Sequence, residues 1–220
     1  MARQDQSAYW WRRAARNVII AVVVLACAAA SWKLFSERRD LISHLSIASA
    51  YPSLLLLAAT LLLGPWNLLR RRPNPISFDL RRDLGIWAGI TAVFHTVIGL
   101  NVHLRGRPWL YFIDEHRGLR HDLFGFSNDT GLFAALLFLL LLAISNDLSL
   151  RRLGSRRWKS LQQWTYLAAL LTVMHAVGYQ SIEKRPAAYC MVLWSITAAV
   201  CVTQGAGVWR RTHDHGSNRL

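Results

Sequence analysis

The chain has 220 residues, of which 53% are hydrophobic and only 17% are charged, and its formal net charge at pH 7 is +14. This composition is too apolar for an ordinary soluble domain, and the length is too short for several domains. Nucleic-acid binding is disfavoured, because the basic residues lie between apolar stretches rather than on one patch.

Six apolar stretches are candidates for membrane-spanning helices, each of which needs about 20 residues. They are residues 17–35, 47–69, 84–103, 130–144, 161–179 and 187–209. The first resembles the apolar region of a signal peptide, but since further spans follow, we expect an uncleaved helix. We therefore predict an all-α integral membrane protein with a six-transmembrane-helix bundle at residues 17–209. A basic amino-terminal tail (1–16) and a polar carboxyl-terminal tail (210–220) flank the bundle.

Lysine and arginine are divided unequally between the two sides of this bundle. The two tails, the second loop and the fourth loop together hold 17 of the 26 Lys and Arg residues, and the other three loops hold nine. Because loops rich in these residues stay on the cytoplasmic side, both termini are predicted to be cytoplasmic.

The third loop, residues 104–128, is the longest segment on the predicted outer side. It contains Trp109, Tyr111 and Phe112. Aromatic residues in this position are typical of a short amphipathic element that lies along the membrane interface. A surface on which a partner docks is the alternative interpretation.

Two histidines lie inside predicted spans, His95 in the third and His175 in the fifth. An imidazole at membrane depth is costly and needs a partner, so each is a candidate functional residue. The two helices run in the same direction, and the histidines lie about 20 Å and 24 Å along them from Arg82 and Lys159. This matching depth in the outer half of the bilayer favours one ligand between the two imidazoles, which together can supply both axial ligands of a b-type haem. For each histidine alone, a hydrogen bond to a neighbouring helix is the alternative.

Three further residues are candidates for the same site. Gly99 and Gly178 follow the two histidines by four and three residues, which leaves room for a porphyrin edge, although glycine also serves plain helix packing. His103 stands two helical turns after His95 on roughly the same face. It is a candidate contact for a haem propionate or a substitute ligand, with a solvent-facing helix end as the alternative.

Two motifs precede the histidine helices. RRDLG at residues 81–85 leads to His95, and RLGSRRWK at residues 152–159 leads through Leu161 and Tyr166 to His175. Over residues 54–209 the chain resembles the ferric-reductase-like transmembrane domain superfamily. The pattern is most similar to the haem-binding membrane subunits of bacterial periplasmic methionine sulfoxide reductase systems. The resemblance implies a multi-pass protein of the bacterial inner membrane that contains a b haem.

The chain departs from this superfamily at the inner half of the two helices. The NADPH oxidase and ferric reductase relatives carry two histidines on each helix, whereas the inner positions here are Arg81 or Arg82 and Gln162. The resemblance then implies one haem, held by His95 and His175 near the outer face. Its electrons would come from a quinol or from a cytoplasmic flavoprotein.

The sequence leaves open whether a second cofactor, FMN or a quinone, binds in the inner half. Trp158, Trp164 and Tyr166 are candidates to line its site, and interface anchoring is the alternative for these aromatic residues. The expected function is an electron-transfer subunit that passes electrons to a periplasmic acceptor such as a reductase partner. The alternatives are a self-contained ferric, metal or oxygen reductase, and a non-haem membrane transporter or assembly factor in which the histidines only bond within the bundle.

Overall fold

The structure, a computed structural model, describes residues 2–34, 40–70, 76–104, 107–114, 116 and 118–217. Within these ranges the chain forms seven α-helices and one short 3-10 helix. They are α1 (Ala2–Leu34), α2 (Leu41–Leu69), α3 (Ile76–Gly99), the 3-10 helix Pro108–Tyr111, α4 (Leu123–Ile144), α5 (Asp147–Gln162), α6 (Trp164–Ile182) and α7 (Ala187–Ser217). Each of the six predicted spans coincides with one helix, so the all-helical prediction is confirmed.

Four helices of the described chain are long and apolar enough to cross a membrane. The qualifying segments are Ser7–Leu34, Leu41–Leu69, Leu123–Ile144 and Ala187–His213. Some positions used in the predictions lie outside the described residues, namely Phe35 at the end of the first span and the arginines Arg38, Arg39, Arg71, Arg72, Arg105, Arg117 and Arg219.

The fourth loop, predicted from its charges alone, forms the additional helix α5. Asn146 caps this helix by accepting a backbone N–H of its first turn. The chain then turns at Gln163 before α6 begins. The path from Lys159 to His175 therefore runs through two helices that are separated at Gln163.

The third predicted span is shorter than expected, because α3 ends at Gly99. The phenol of Tyr111 donates to the Gly99 carbonyl at 3.1 Å and accepts the backbone N–H of His103 at 2.9 Å, which caps the end of the helix. The prediction that His103 continues the face of His95 on one helix was therefore wrong. Tyr111 is not an interfacial residue either, because only 1% of it is exposed, whereas Trp109 is 53% exposed.

Two helix pairs build the bundle. α2 packs along α3, α4 packs along α6, and a contact between α3 and α4 joins the pairs, while α1 and α7 cover α2. The central core contains Leu57, Leu61 and Phe138 together with Ala88 and Ala168. The two alanines let the helix backbones approach closely, which is how helices associate in a lipid environment that offers no hydrophobic driving force between them.

Ion pairs and hydrogen bonds tie one end of this bundle together. Asp83 of α3 is 1% exposed and accepts hydrogen bonds from Arg16 at 2.7 Å and Arg13 at 3.3 Å, both on α1. Arg210 of α7 donates to the carbonyl of Leu69, at the end of α2. Since only six residues connect α2 with α3, the amino end of α1 and the carboxyl end of α7 lie at the same end of the bundle.

We predict that Asp83→Asn loosens the attachment of α1. The substitution leaves two mostly buried guanidinium groups without their counter-charge, a loss of about 3 kcal/mol when a buried pair is broken. Thermal melting of the purified protein in detergent, followed by tryptophan fluorescence, should show a midpoint lowered by several degrees.

Asp147→Asn is the matched control. Asp147 also pairs with an arginine, Arg82, at 2.6 Å, but its side chain is 58% exposed. The hydrogen bond from Arg82 lowers the pKa of Asp147, so this carboxylate is ionised at neutral pH. The carboxylate of this pair is open to solvent, and Arg82 keeps its hydrogen bond to the Ser145 carbonyl when the pair is lost, so the loss costs about 1 kcal/mol or less. Equal shifts in the two variants would contradict the special role of Asp83.

Candidate functional site

A cavity of about 180 Å³ lies inside the bundle, toward the end opposite Asp83. Its walls come from α2, α3, α4 and α6, and the segments that follow α3 and α6 close its mouth. His95 and His175 both line it, among small apolar residues such as Ala92 and Ala135. The structure therefore brings the two sequence-predicted histidines to one enclosed space.

The two imidazoles face the same cavity at a separation suited to a shared metal ion. Their ring centroids are 6.2 Å apart and their planes are inclined by 78°. Metal–imidazole bonds are about 2 Å long, so a metal bound by both rings requires centroids roughly 6 Å apart. No group of three or more His, Cys, Asp or Glu side chains that could hold a metal occurs in the described chain. Two protein ligands are what a six-coordinate haem iron takes.

Backbone carbonyls fix the protonation of both rings. Nδ1 of His95 lies 2.9 Å from the carbonyl oxygen of Ser46 on α2, and Nδ1 of His175 lies 2.8 Å from the carbonyl oxygen of Ser127 on α4. A carbonyl only accepts hydrogen bonds, so Nδ1 is the protonated nitrogen in each ring. In the neutral imidazole Nε2 then keeps its lone pair, the arrangement that metal-binding histidines usually show.

Two glycines make the contact between α4 and α6 close enough for this bond. A Cβ at Gly131 would lie 2.5 Å from Nδ1 of His175, and a Cβ at Gly178 would overlap with the side chain of Ser127. Real Cβ contacts are essentially never closer than 3.0 Å. The absence of both side chains therefore lets Ser127 and His175 meet.

The two glycines predicted beside the histidines lie in different surroundings. Gly99 lines the cavity, and a Cβ there would make only an ordinary contact with Ser46, at 3.9 Å. Gly178 does not line the cavity and serves the packing of α6 on α4.

His103 lies at the mouth of the cavity, beyond the end of α3. Its Nε2 is 3.0 Å from Oε1 of Glu183, and its ring stacks on Tyr179 with centroids 5.9 Å apart. The ring of Tyr179 in turn lies 4.9 Å from that of His175, and its hydroxyl donates to Asn128 at 2.7 Å. The structure thus places His103 in the same cavity, two ring contacts away from His175.

Sequence analysis missed several residues that shape this site. The carbonyls of Ser46 and Ser127 belong to the backbone, so no residue type could have indicated them. Gly131 was open to detection, because a lone glycine in an apolar helix marks a close approach. Arg185, which also lines the cavity, was counted only as a loop charge.

The aromatic residues considered for a second cofactor do not gather around one site. Trp158 is buried and donates to the Ile144 carbonyl at 2.8 Å, which fixes α5 against α4. Trp164 lines a shallow groove between α4 and α6. Tyr166 contacts Gln204 of α7 at 3.5 Å. The residues that line the groove are all apolar, so it offers no group to bind the phosphate of FMN.

Comparisons with known proteins agree with this architecture. The family model described as ferric reductase like transmembrane component matches residues 49–173, which include His95 and end two residues before His175. No solved structure matches this chain.

Curated relatives share the name protein-methionine-sulfoxide reductase heme-binding subunit MsrQ. The protein of Cronobacter sakazakii is 30% identical over 74% of this chain and 76% of its own length. The protein of Pectobacterium atrosepticum is 31% identical over 63% of this chain, and the match covers 66% of that relative. The family model covers more than half of the chain, and together with these relatives it shows that the chain belongs to the ferric-reductase-like transmembrane family.

Proposed function

We propose that this protein is a membrane electron-transfer subunit that holds one b-type haem between His95 and His175. The observation that carries the proposal is the pair of imidazoles, each donating its Nδ1–H to a backbone carbonyl, with ring centroids 6.2 Å apart. The names of the relatives, heme-binding subunits, support the same cofactor.

The protein's own contribution is to bind, orient and keep the site dry. The carbonyls of Ser46 and Ser127 hold the two rings and raise the basicity of their coordinating nitrogens. Alanine, leucine and phenylalanine side chains, such as Ala135, Leu132 and Phe138, line the cavity and exclude water. When bound, a haem iron with two imidazole ligands supplies reversible one-electron chemistry.

The position of the site in the bundle favours electron exit at the end near Glu183. His95 lies four residues before the end of α3, about 6 Å of helix, but 19 residues after its start, about 28 Å. With the Lys and Arg distribution, this orients both termini to the cytoplasm and the cavity mouth to the periplasm of the inner membrane. The orientation is tested by fusing the carboxyl terminus to a reporter that works only outside the cytoplasm. Activity of this reporter would contradict the orientation.

The electron donor and acceptor follow from this placement. The proposed donor is a quinol in the membrane or a cytoplasmic flavoprotein. A quinone suits an intermediate carrier on the inner side better than FMN, because the groove beside Trp164 offers no partner for a phosphate. The acceptor is a periplasmic reductase, since the relatives are named as subunits of a methionine sulfoxide reductase. Direct reduction of ferric chelates is the second candidate, which the description of the matching family supports.

Haem ligation is tested by removing each imidazole. Purified His95→Ala and His175→Ala should both lose the absorption spectrum of a six-coordinate low-spin haem, because each ligand would supply one axial bond. His213→Ala, at the exposed end of α7, is the control and should keep the spectrum. Stoichiometric haem in a double variant that lacks both histidines would contradict the assignment of His95 and His175 as haem ligands.

The packing at His175 gives an independent test that leaves both ligands in place. Gly131→Ala puts a Cβ against Nδ1 of His175 and displaces the ring from the Ser127 carbonyl. Loss of such an orienting partner weakens metal binding about ten-fold or more. We therefore expect lower haem occupancy, measured as the ratio of haem to protein absorbance.

Gly205→Ala is the control for this change, because a Cβ there meets nothing within 4 Å. Alanine in a helix stabilises it by up to about 1 kcal/mol relative to glycine, so the Gly205→Ala control should stay folded. Equal haem occupancy in the two variants would show that His175 does not depend on Gly131.

The choice of acceptor is tested with the reduced protein. Reoxidation followed by haem absorbance should be fast with a periplasmic methionine sulfoxide reductase and its substrate, and slow with a ferric chelate alone. Fast reoxidation by the chelate would favour the self-contained reductase. A colourless preparation from haem-replete cells would instead support a transporter or assembly factor.

A further inference from the structure

Arg185 lies in the segment between α6 and α7 and lines the same cavity as His95 and His175. Its side chain is only 16% exposed. Among the described residues no other Arg or Lys lines this cavity, in an apolar bundle where a buried guanidinium is expensive unless it is paired and hydrogen-bonded. Each N–H group of Arg185 that is buried therefore needs a hydrogen-bond acceptor.

The partners of Arg185 within the described chain do not satisfy it. Its terminal nitrogen is 3.6 Å from Oε2 of Glu183, which is longer than a hydrogen bond. Its guanidinium carbon lies 5.4 Å from the ring centroid of Tyr189, a cation–π contact. Its Nε is buried and has no hydrogen-bond partner among the described residues. Buried N–H groups are nearly always bonded, so an acceptor is missing at this position.

The geometry at the cavity mouth leaves Nε of Arg185 without an acceptor among the described residues, and a ligand in the cavity could supply one. Glu183 is the one carboxylate that lines the cavity within the part of the chain that the structure describes, and its other oxygen is already 3.0 Å from Nε2 of His103. One carboxylate thus faces both the permanent cation of Arg185 and an imidazole. A second carboxylate, supplied by a ligand, would accept from Nε of Arg185, and guanidinium–carboxylate pairs are among the strongest hydrogen-bonded pairs in proteins.

We propose that Arg185 binds a propionate carboxylate of the haem held by His95 and His175. This inference rests on the proposed function and adds a third protein contact to it, at the propionate edge rather than at the iron. It also orients the cofactor, because a carboxylate bound at Arg185 directs that edge toward the segment between α6 and α7. Glu183 and His103 form the polar wall beside this contact.

The test compares Arg185→Gln with Lys184→Gln in the full-length protein purified in detergent. The two substitutions remove the same charge from adjacent positions, but Lys184 is exposed and does not line the cavity. Loss of a hydrogen bond to a charged group costs about 1.5–3 kcal/mol, which is on the order of 10- to 100-fold in an equilibrium. Transfer of haem to an excess of apomyoglobin should therefore be on the order of 10- to 100-fold faster from Arg185→Gln and unchanged from Lys184→Gln.

A second readout concerns the reduction potential. A positive charge beside the haem favours the ferrous over the ferric state, so Arg185→Gln should lower the midpoint potential while Lys184→Gln leaves it in place. Arg185→Lys keeps the charge without the planar donor fork. It should restore the potential more fully than it restores haem retention.

The ligand side of the contact is tested with haem dimethyl ester, in which both propionates are esterified. The wild-type apoprotein should bind the ester on the order of 10- to 100-fold more weakly than haem, and Arg185→Gln should bind both alike. If Arg185→Gln fails to fold, the comparison of haem with its ester in the wild-type protein still tests the contact. Equal binding of haem and its ester by the wild type would overturn the inference and leave the His95–His175 proposal intact. A wild type that binds neither compound would overturn both.

Discussion

The candidate site depends on two hydrogen bonds from imidazole N–H groups to backbone carbonyls. Each bond crosses from one helix to its packing partner, from α3 to the Ser46 carbonyl of α2 and from α6 to the Ser127 carbonyl of α4. The pairing of these helices therefore also fixes the orientation of the two imidazoles. Once α2 lies along α3 and α4 along α6, each ring has one protonated nitrogen and one free lone pair, and the contact of α3 with α4 sets the distance between the rings.

The same logic explains why small residues occur where they do. A carbonyl in a helix is recessed behind its own side chains, so a ring on a neighbouring helix reaches it only when the backbones come close. Gly131 and Gly178 provide that approach between α4 and α6. Between α2 and α3 the Ser49 hydroxyl lies 3.4 Å from Nδ1 of His95 and donates to the same Ser46 carbonyl at 2.9 Å. Packing in this bundle thus serves ligand geometry as well as stability.

The sequence was informative wherever hydrophobic length or a costly residue carried the signal. Six apolar stretches predicted six of the helices, and two histidines in apolar surroundings indicated a shared site, since polar groups at that depth need partners. The sequence did not predict helix boundaries that depend on tertiary contacts. The end of α3 depends on the hydroxyl of Tyr111, which comes from 12 residues away. The helix α5 was hidden because its basic residues were interpreted only as a topology signal.

Most buried polar groups among the described residues have partners within the protein. Two buried side-chain nitrogens lack a hydrogen-bond partner, Nη2 of Arg16, which stays paired with Asp83, and Nε of Arg185. Asp83 has two arginines, Tyr179 has Asn128, and each site histidine has a carbonyl. These groups are matched within the protein, as burial requires. The Nε of Arg185 lacks such a match within the described residues, and it lies in the wall of the cavity that the two histidines share.

The contacts of Arg82 and Gln162 explain why this chain has one pair of site histidines rather than two. In the two-haem relatives that the sequence resembles, the inner positions carry histidines, whereas this chain has Arg82 and Gln162. Both side chains converge on one residue at the end of α4: Arg82 donates to the Ser145 carbonyl at 3.1 Å, and Gln162 donates to the Ser145 hydroxyl at 3.3 Å. Arg82 also pairs with Asp147 at the start of α5. These positions therefore form a polar junction between α3, α4 and α5, so a second imidazole pair would have to replace contacts that hold three helices together. In the proposed function no second imidazole pair therefore lies between the end of the bundle near Asp83 and the haem site, which is why a quinol in the membrane suits the proposal as a donor.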